Sequence, residues 1–313
     1  MKSVIVIPTI RNLNFFREWQ EFNDPENVEI IVCEDRDEIT LEAEWPNITI
    51  YSRQEIKKEL GKDSWIISFE SAAIRSFGFW KAWQKKPDMV CTIDDDCFSE
   101  REDYFLKEHW QALNQKATLD WVKTASIFTR GFPYLIRDKN EVVLNHGLWS
   151  NIPDLDAPTQ LLNPDLRLEP CRESHVVPRY NFFPMSGMNL AFKPSITPLM
   201  YFGLQGRGWE YDRFDDINCG IFTKKILDHI GLAVMSGKPS VEHIRQSNVF
   251  TNLVKEASGI SFNEQLWDEV KYINLEKFKI KDCYNELIDK LPELNDYMKK
   301  LKKAMKIWVR LFK

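Results

Sequence analysis

The run Val90-Cys91-Thr92-Ile93-Asp94-Asp95-Asp96-Cys97 constrains this chain more than any other stretch. An apolar strand ends there in three consecutive carboxylates. Adjacent acids repel one another and lose hydration on folding, so such a cluster asks for a compensating cation. Oxygen ligands at a strand end suit Mg²⁺ or Mn²⁺, and those ions suit a diphosphate. A solvated acidic turn is the plainer alternative for the run taken alone.

The flanking sequence repeats the arrangement. Val4-Ile5-Val6-Ile7 reads as a fully buried strand of a parallel sheet, stopping at a loop that holds Pro8, Thr9, Arg11 and Asn12. Val28–Cys33 is a second strand and delivers Glu34, Asp35, Arg36 and Asp37 to the same edge; Asn47–Tyr51 is a third. Helices are expected over 13–22 and over 70–84. The second carries Arg75, by itself more simply a surface arginine than a ligand clamp. Alternating strands and helices with acidic strand ends predict a Rossmann-like open α/β sheet, flanked by helices, with ligand at the carboxyl ends of the strands. Neither GxGxxG nor GxxxxGK[ST] occurs, so metal and arginines would have to neutralise a phosphate.

The middle of the chain reads as less regular. His146-Gly147-Leu148-Trp149 leads into Asn151–Thr159, whose two prolines and polar side chains predict an ordered loop. Phe183–Phe192 reads as a turn feeding a strand, with Gly187 allowing a backbone to approach a ligand and Asn189 just beyond it. Asp215 and Asp216 precede a helical stretch over 217–230. They suit its first turn, a role compatible with chemistry. Leu232–Met235 is a late strand, and His243 is placed in the loop after it, a metal-ligand candidate beside the carboxylates.

A net charge of −5 over 313 residues gives no reason to expect nucleic-acid binding. The apolar run after Lys2 is too short for a signal peptide, and no stretch is long enough to span a bilayer. Six cysteines without a CxxC pair predict reduced thiols and a cytoplasmic protein. From Leu294 to Phe312, apolar residues recur at helical steps opposite a basic face of Lys299, Lys300, Lys302, Lys303, Lys306, Arg310 and Lys313. Two readings stay open for this segment. One is a helix packed on the core with a solvated basic face; the other is an interfacial or partner-binding helix that places the protein on the cytosolic face of a membrane.

Taken together, VIPTIRN (6–12), SFG after Arg75, TIDDDCF (92–98), RGFPY (130–134), HGLWSNIPDLDAPTQL (146–161), FPMSGMNLAF (183–192), MYFGL (200–204), RFDD (213–216), His243 and SNVFTNL (247–253) resemble the reversibly glycosylated polypeptide family. Its best-known members are plant UDP-arabinopyranose mutases. The matching segments lie within residues 1–255, and the basic C-terminal helix aligns with nothing in them. The resemblance implies a GT-A glycosyltransferase-like fold over 1–257, with a helical extension at 258–313. It also implies a UDP-sugar ligand and a divalent metal, Mn²⁺ or Mg²⁺, with Asp96, Asp94 and His243 on the metal. Pro8, Thr9, Arg11, Asp35, Arg75, Asp94, Asp95, Trp149, Asp156, Gly187 and Asn189 are the residues expected at the nucleotide-sugar. Arg130 matches the arginine associated in that family with reversible sugar attachment, and Arg137 a second arginine nearby; Asp215 and Asp216 are the candidate sugar-facing acids. Asp35-Arg36-Asp37 stands where the family usually has D-G-D.

The implied activity is a UDP-sugar mutase that interconverts pyranose and furanose forms, with arabinose as the expected sugar. The alternatives are a glycosyltransferase using a UDP-sugar donor, self-glycosylation included, and a non-catalytic UDP-sugar-binding subunit of a mutase complex. Homo- and hetero-oligomers are both open.

Overall fold

The computed structural model describes residues 1–14, 18–43, 45–100, 104–245 and 247–313. Among the described residues ten strands form the sheet: β1 (Ser3–Thr9), β2 (Val28–Glu34), β3 (Ile48–Tyr51), β4 (Met89–Ile93), β5 (Cys97–Ser99), β6 (Lys116–Ala117), β7 (Asn140–Asn151), β8 (Ser174–Val176), β9 (Asn189–Phe192) and β10 (Ala233–His243). Eight α-helices accompany them among the described residues: α1 (Arg53–Leu60), α2 (Arg75–Gln84), α3 (Phe105–Leu113), α4 (Ala157–Leu162), α5 (Asp215–Ile230), α6 (Val249–Tyr272), α7 (Ile280–Lys290) and α8 (Asp296–Arg310).

The main path runs β3-β2-β1-β4-β9-β7-β10-β5, with β6 beside β7 and β8 beside β10. β1 pairs in parallel with both β2 and β4, whereas β9 runs antiparallel to both β4 and β7. β7 and β10 are parallel to each other. Two reversals restore direction, so β1, β2, β4, β7 and β10 all end on one edge, and β9 begins there. That edge, where strand order switches beside β1, is where ligands enter open α/β sheets.

The expected strands β1, β2, β3 and β4 form because continuous apolar runs bury both faces: Val4 to Ile7 and Ile30 to Cys33 are at most 2% exposed. Two expectations are corrected. His243 ends a strand rather than sitting in a loop, since β10 continues through Gly237 and Pro239 with a break in register between Gly237 and Ser240. Only glycine fits at 237, where φ is +142° and a Cβ would lie 2.1 Å from the Glu173 carbonyl oxygen. Likewise His146-Gly147-Leu148-Trp149 lies inside the twelve-residue β7. Of the helix expected over 13–22, residues 15–17 lie outside the described residues, and Gln20–Phe22 is a short 3₁₀ turn.

Two cores sit on the two faces of the sheet, and the larger takes in the C-terminal helices. Met298, Leu301, Met305 and Trp308 of α8 are all at most 3% exposed. Trp308 stacks on Tyr201 at 5.3 Å and donates its indole N–H to the Pro198 carbonyl at 2.9 Å. The apolar face of α8 is therefore filled by the protein's own core, and only its basic face points outward. Residue 257 falls within α6, where Glu256 and Ile260 line one cavity. Among the described residues, no helix is long and apolar enough to cross a membrane.

Candidate active site

At the common strand edge lies a cavity of about 1120 Å³, ample for a nucleotide-sugar. Asp94, Asp95 and Asp96 line it, and each is paired with an arginine. Asp95 accepts from the Thr9 hydroxyl and the Arg11 guanidinium. Burial pushes its carboxyl up to about 6, against the lowering effect of Thr9 and Arg11. Arg11 also reaches Asp96 Oδ2 at 3.0 Å. Asp94 pairs with Arg75, which is 1% exposed. The same guanidinium donates to the Thr92 hydroxyl at 2.9 Å, the Ala72 carbonyl at 3.1 Å and the Gly187 carbonyl. Burial works against the Arg75 charge, but Asp94 overrides it, so Arg75 is held above its ordinary value. The cations that make the acidic run tolerable are thus two arginines, one from β1's loop and one from α2.

The expected metal ligands are partly assembled. His243 donates Nδ1–H to the Ile152 carbonyl at 2.8 Å, because a carbonyl can only accept. Its Nε2 faces Asp96 Oδ1 at 3.9 Å, the ring being oriented through its other nitrogen as is usual at metal sites. Among the described residues no three His, Cys, Asp or Glu side chains converge to hold an ion unaided. The donor set fits Mg²⁺ or Mn²⁺ completed by phosphate oxygens and water, which is how those ions usually bind.

On the β2 side, Asp35 accepts from Arg53 Nε at 2.7 Å and from the Ser71 backbone N–H at 3.2 Å, while burial raises its pKa. Arg36 donates to the Ile10 carbonyl at 2.8 Å, tying the two ligand-side loops together. Pro8 and half-buried Trp149 also line the cavity.

Opposite lies a second acidic group. Asp215 and Asp216 open α5, and burial raises both, Asp215 to about 6 and Asp216 well above the ordinary range. Asp216 is spent on backbone: Oδ2 accepts from Gly187 N–H and Oδ1 from Ile217 N–H, each at 2.8 Å. Asp215 Oδ2 is buried without a hydrogen-bond partner among the described residues. Gly187 is required for a reason other than ligand approach. A Cβ there would lie 2.9 Å from the Arg75 guanidinium and 2.8 Å from Phe202. The close neighbours are the arginine itself and Phe202.

One further expectation is corrected by geometry. Asn189 is 0% exposed and its amide is fully used, donating to the Leu148 and Pro239 carbonyls at 2.7 and 2.8 Å and meeting His109 Nε2 at 2.9 Å. It ties strands together and does not line the cavity. Asp156 reaches the rim, but its carboxylate caps α4, accepting from the Thr159 N–H at 3.0 Å and hydroxyl at 2.7 Å. The neighbouring Asp154, which sequence reasoning passed over, lies deeper and accepts from the Ser186 hydroxyl at 2.9 Å. Arg53, Arg213 and Glu256 were missed as well. Their only sequence signal is proximity to residues already singled out.

Arg130 and Arg137 are not brought to the cavity. Arg130 is exposed at the tip of a turn where Phe132 N–H bonds the Thr129 carbonyl. Arg137 braces the same loop, its guanidinium 3.8 Å from the Tyr134 ring centre and donating to the Phe132 carbonyl at 2.8 Å.

Comparison with known proteins agrees with the motifs and extends them. A "Probable UDP-arabinopyranose mutase 1" of Solanum tuberosum is 37% identical over 97% of this chain and 88% of the relative. "UDP-arabinopyranose mutase 1" of Arabidopsis thaliana is 36% identical over 97% of this chain and 90% of the relative. Among solved structures, the 4-diphosphocytidyl-2C-methyl-D-erythritol synthase of Anaerococcus prevotii matches with a TM-score of 0.35 at 12% identity, covering 82% of this chain and 95% of that one. That likeness is too distant to carry weight. The family profile spans residues 2–313, so the C-terminal helices, expected to fall outside the resemblance, are part of it. The chain belongs to the reversibly glycosylated polypeptide family.

Proposed function

We propose that the protein is a metal-dependent UDP-sugar mutase on a GT-A-like sheet, converting UDP-L-arabinopyranose to UDP-L-arabinofuranose. The observation that carries this reading is the single cavity joining the two acidic groups through one unit. Arg75 holds Asp94 and the Gly187 carbonyl, and Asp216 holds the Gly187 N–H. One group suits a diphosphate and its cation; the other suits sugar hydroxyls.

Asp96 and His243 would hold Mn²⁺ or Mg²⁺ with Asp94 beside them. The ion, when bound, supplies Lewis-acid stabilisation of charge on the departing diphosphate. Arg11, the more exposed of the two triplet arginines, can turn to a phosphate oxygen as a charge-assisted donor. Arg75, fixed by four acceptors, keeps the Asp94 carboxylate and the 185–188 segment in register. Asp35 would accept from the uracil or ribose. Asp215, whose buried Oδ2 has no hydrogen-bond partner among the described residues, would orient a sugar hydroxyl. Such holding of the opened sugar beside UDP favours return to the same molecule over escape. The six unpaired cysteines suit a reducing compartment such as the cytoplasm.

The test is incubation of the purified protein with UDP-arabinopyranose and Mn²⁺, no acceptor present, with chromatographic analysis of the nucleotide-sugars. Appearance of UDP-arabinofuranose is the expected result. Hydrolysis alone, or sugar transfer to a supplied acceptor without ring contraction, would overturn the mutase reading in favour of a transferase.

A further inference from the structure

The three carboxylates opposite the triplet are not equivalent. Asp216 has both oxygens committed to backbone N–H groups at 2.8 Å, so it is a positioning residue. Asp215 is 7% exposed, and its Oδ2 has no hydrogen-bond partner among the described residues. Asp154 is half-buried and lines the cavity. Only its Oδ2 is bonded, to the Ser186 hydroxyl, which leaves Oδ1 without a hydrogen bond among the described residues.

Asp154 also lies between the two ends of the cavity: Ile152, two residues before it, bonds His243, while its own Oδ2 accepts from Ser186, whose neighbour Gly187 is held by Arg75 and Asp216. Its charge interacts with Asp94 and His243 on the diphosphate side, and with Asp216 and Arg213 on the other. The anomeric carbon of a nucleotide-sugar is one bridging oxygen from the diphosphate, so the group between the two ends faces it. The backbone around Asp154 is braced from both sides. Ile152 exchanges hydrogen bonds with His243, and the Ala157 N–H donates to Glu256 at 2.7 Å, itself held by Arg213 at 2.8 Å.

We propose that Asp154 is the carboxyl group that contacts the sugar beside its anomeric carbon and carries the proton of ring exchange. This rests on the mutase reading for its second half only. With the C1–O(phosphate) bond broken and UDP held alongside, ring exchange makes a C1–O4 bond and breaks C1–O5; the O4 hydroxyl loses a proton, O5 gains one, and return of the UDP phosphate oxygen to C1 restores the bond first broken. Asp154 accepts the first proton and returns it to O5, so the step balances without a co-reactant. Burial raises the pKa of Asp154, opposed by the Ser186 hydrogen bond and by Arg213, and assisted by Asp94, which suits a group that must both take and give a proton.

The test compares wild type with Asp154→Asn in Mn²⁺ buffer. Calorimetry is run with UDP and with UDP-arabinopyranose, and turnover is followed across pH. The expected result is UDP affinity within about twofold of wild type, weaker UDP-arabinopyranose binding, and kcat lower by at least about 100-fold. Equal losses for both ligands, or no loss for either, would overturn the contact. Unchanged kcat with weakened sugar binding would overturn the proton role. If wild type binds UDP-arabinopyranose without isomerising it, the mutase reading fails, while the calorimetric difference still decides the contact. Should Asp154→Asn fail to fold, Ser186→Ala serves in its place. It is expected to lower kcat and shift its pH profile with UDP affinity intact, and an unshifted profile counts against the proposal.

Discussion

Arg75 and Asp94 form an ion pair whose two members differ sharply in exposure: the arginine side chain is 2% exposed and the aspartate 30%. The arginine is therefore the buried strut, and the aspartate is the end offered to the cavity. Replacing Arg75 by Met should lower unfolding free energy by about 3 kcal/mol, measured by urea denaturation. The loss comes from the carbonyls of Ala72 and Gly187, and the Thr92 hydroxyl, left without their donor. Wild-type stability in that variant would mean that Arg75 is not the strut.

His243 and Asp96 should set metal affinity together. Removing an outer partner of a metal ligand commonly costs about 10- to 100-fold, and removing the ligand itself costs at least that. Asp96→Asn and His243→Ala should each weaken Mn²⁺ binding, read by electron paramagnetic resonance with UDP present, by more than about tenfold. Asp96→Asn should also abolish metal-dependent turnover. Near-normal activity there would remove the metal from this end of the cavity.

The parts legible in sequence were those where one physical signal dominates. β1, β2 and β4 are uninterrupted apolar runs, and the triplet is an electrostatic anomaly. β7 and β10 were misread because polar residues lie inside them, bonded to partners distant in sequence that no window reveals. Asn145 Nδ2 donates to His109 Nδ1 at 2.8 Å, and His146 Nδ1 meets Ser236 Oγ at 3.0 Å. Burial holds both histidines neutral, His109 down to about 3 and His146 to about 4. In the site, choosing between Asp154 and Asp156 needed the start of α4, which makes one a cap and leaves the other to the cavity. Asn189 was misplaced for the same reason: its partners come from β7, α3 and β10, distant in sequence.

The C-terminal helix separates packing from surface charge. Trp308→Ala should cost about 3–5 kcal/mol, since it empties a buried aromatic site and orphans the Pro198 carbonyl. Lys303→Glu, on the exposed face, should stay within about 0.5 kcal/mol. Thermal melts of the two variants decide the matter. If Trp308→Ala melts like wild type, α8 is an appendage rather than part of the core.

Asp215 gives the pH dependence its sign. Burial raises its folded value to about 6 from an ordinary 3.8, opposed by Arg75 and assisted by Asp212 and Asp94. A raised acid stabilises the fold in its protonated form. That contribution is complete below about pH 4 and is lost as pH climbs through about 6. Asp216 is raised beside it, so the pair titrates in joint steps rather than as two independent sites. Wild type should therefore lose stability between about pH 4 and pH 7 relative to Asp215→Asn. The variant should be the more stable protein at pH 7 by on the order of 3 kcal/mol, and the two should converge in acid. Denaturant melts at each pH measure the difference. Parallel curves would mean that Asp215 is ionised without penalty, and the wall it forms would then be wetter than its burial implies.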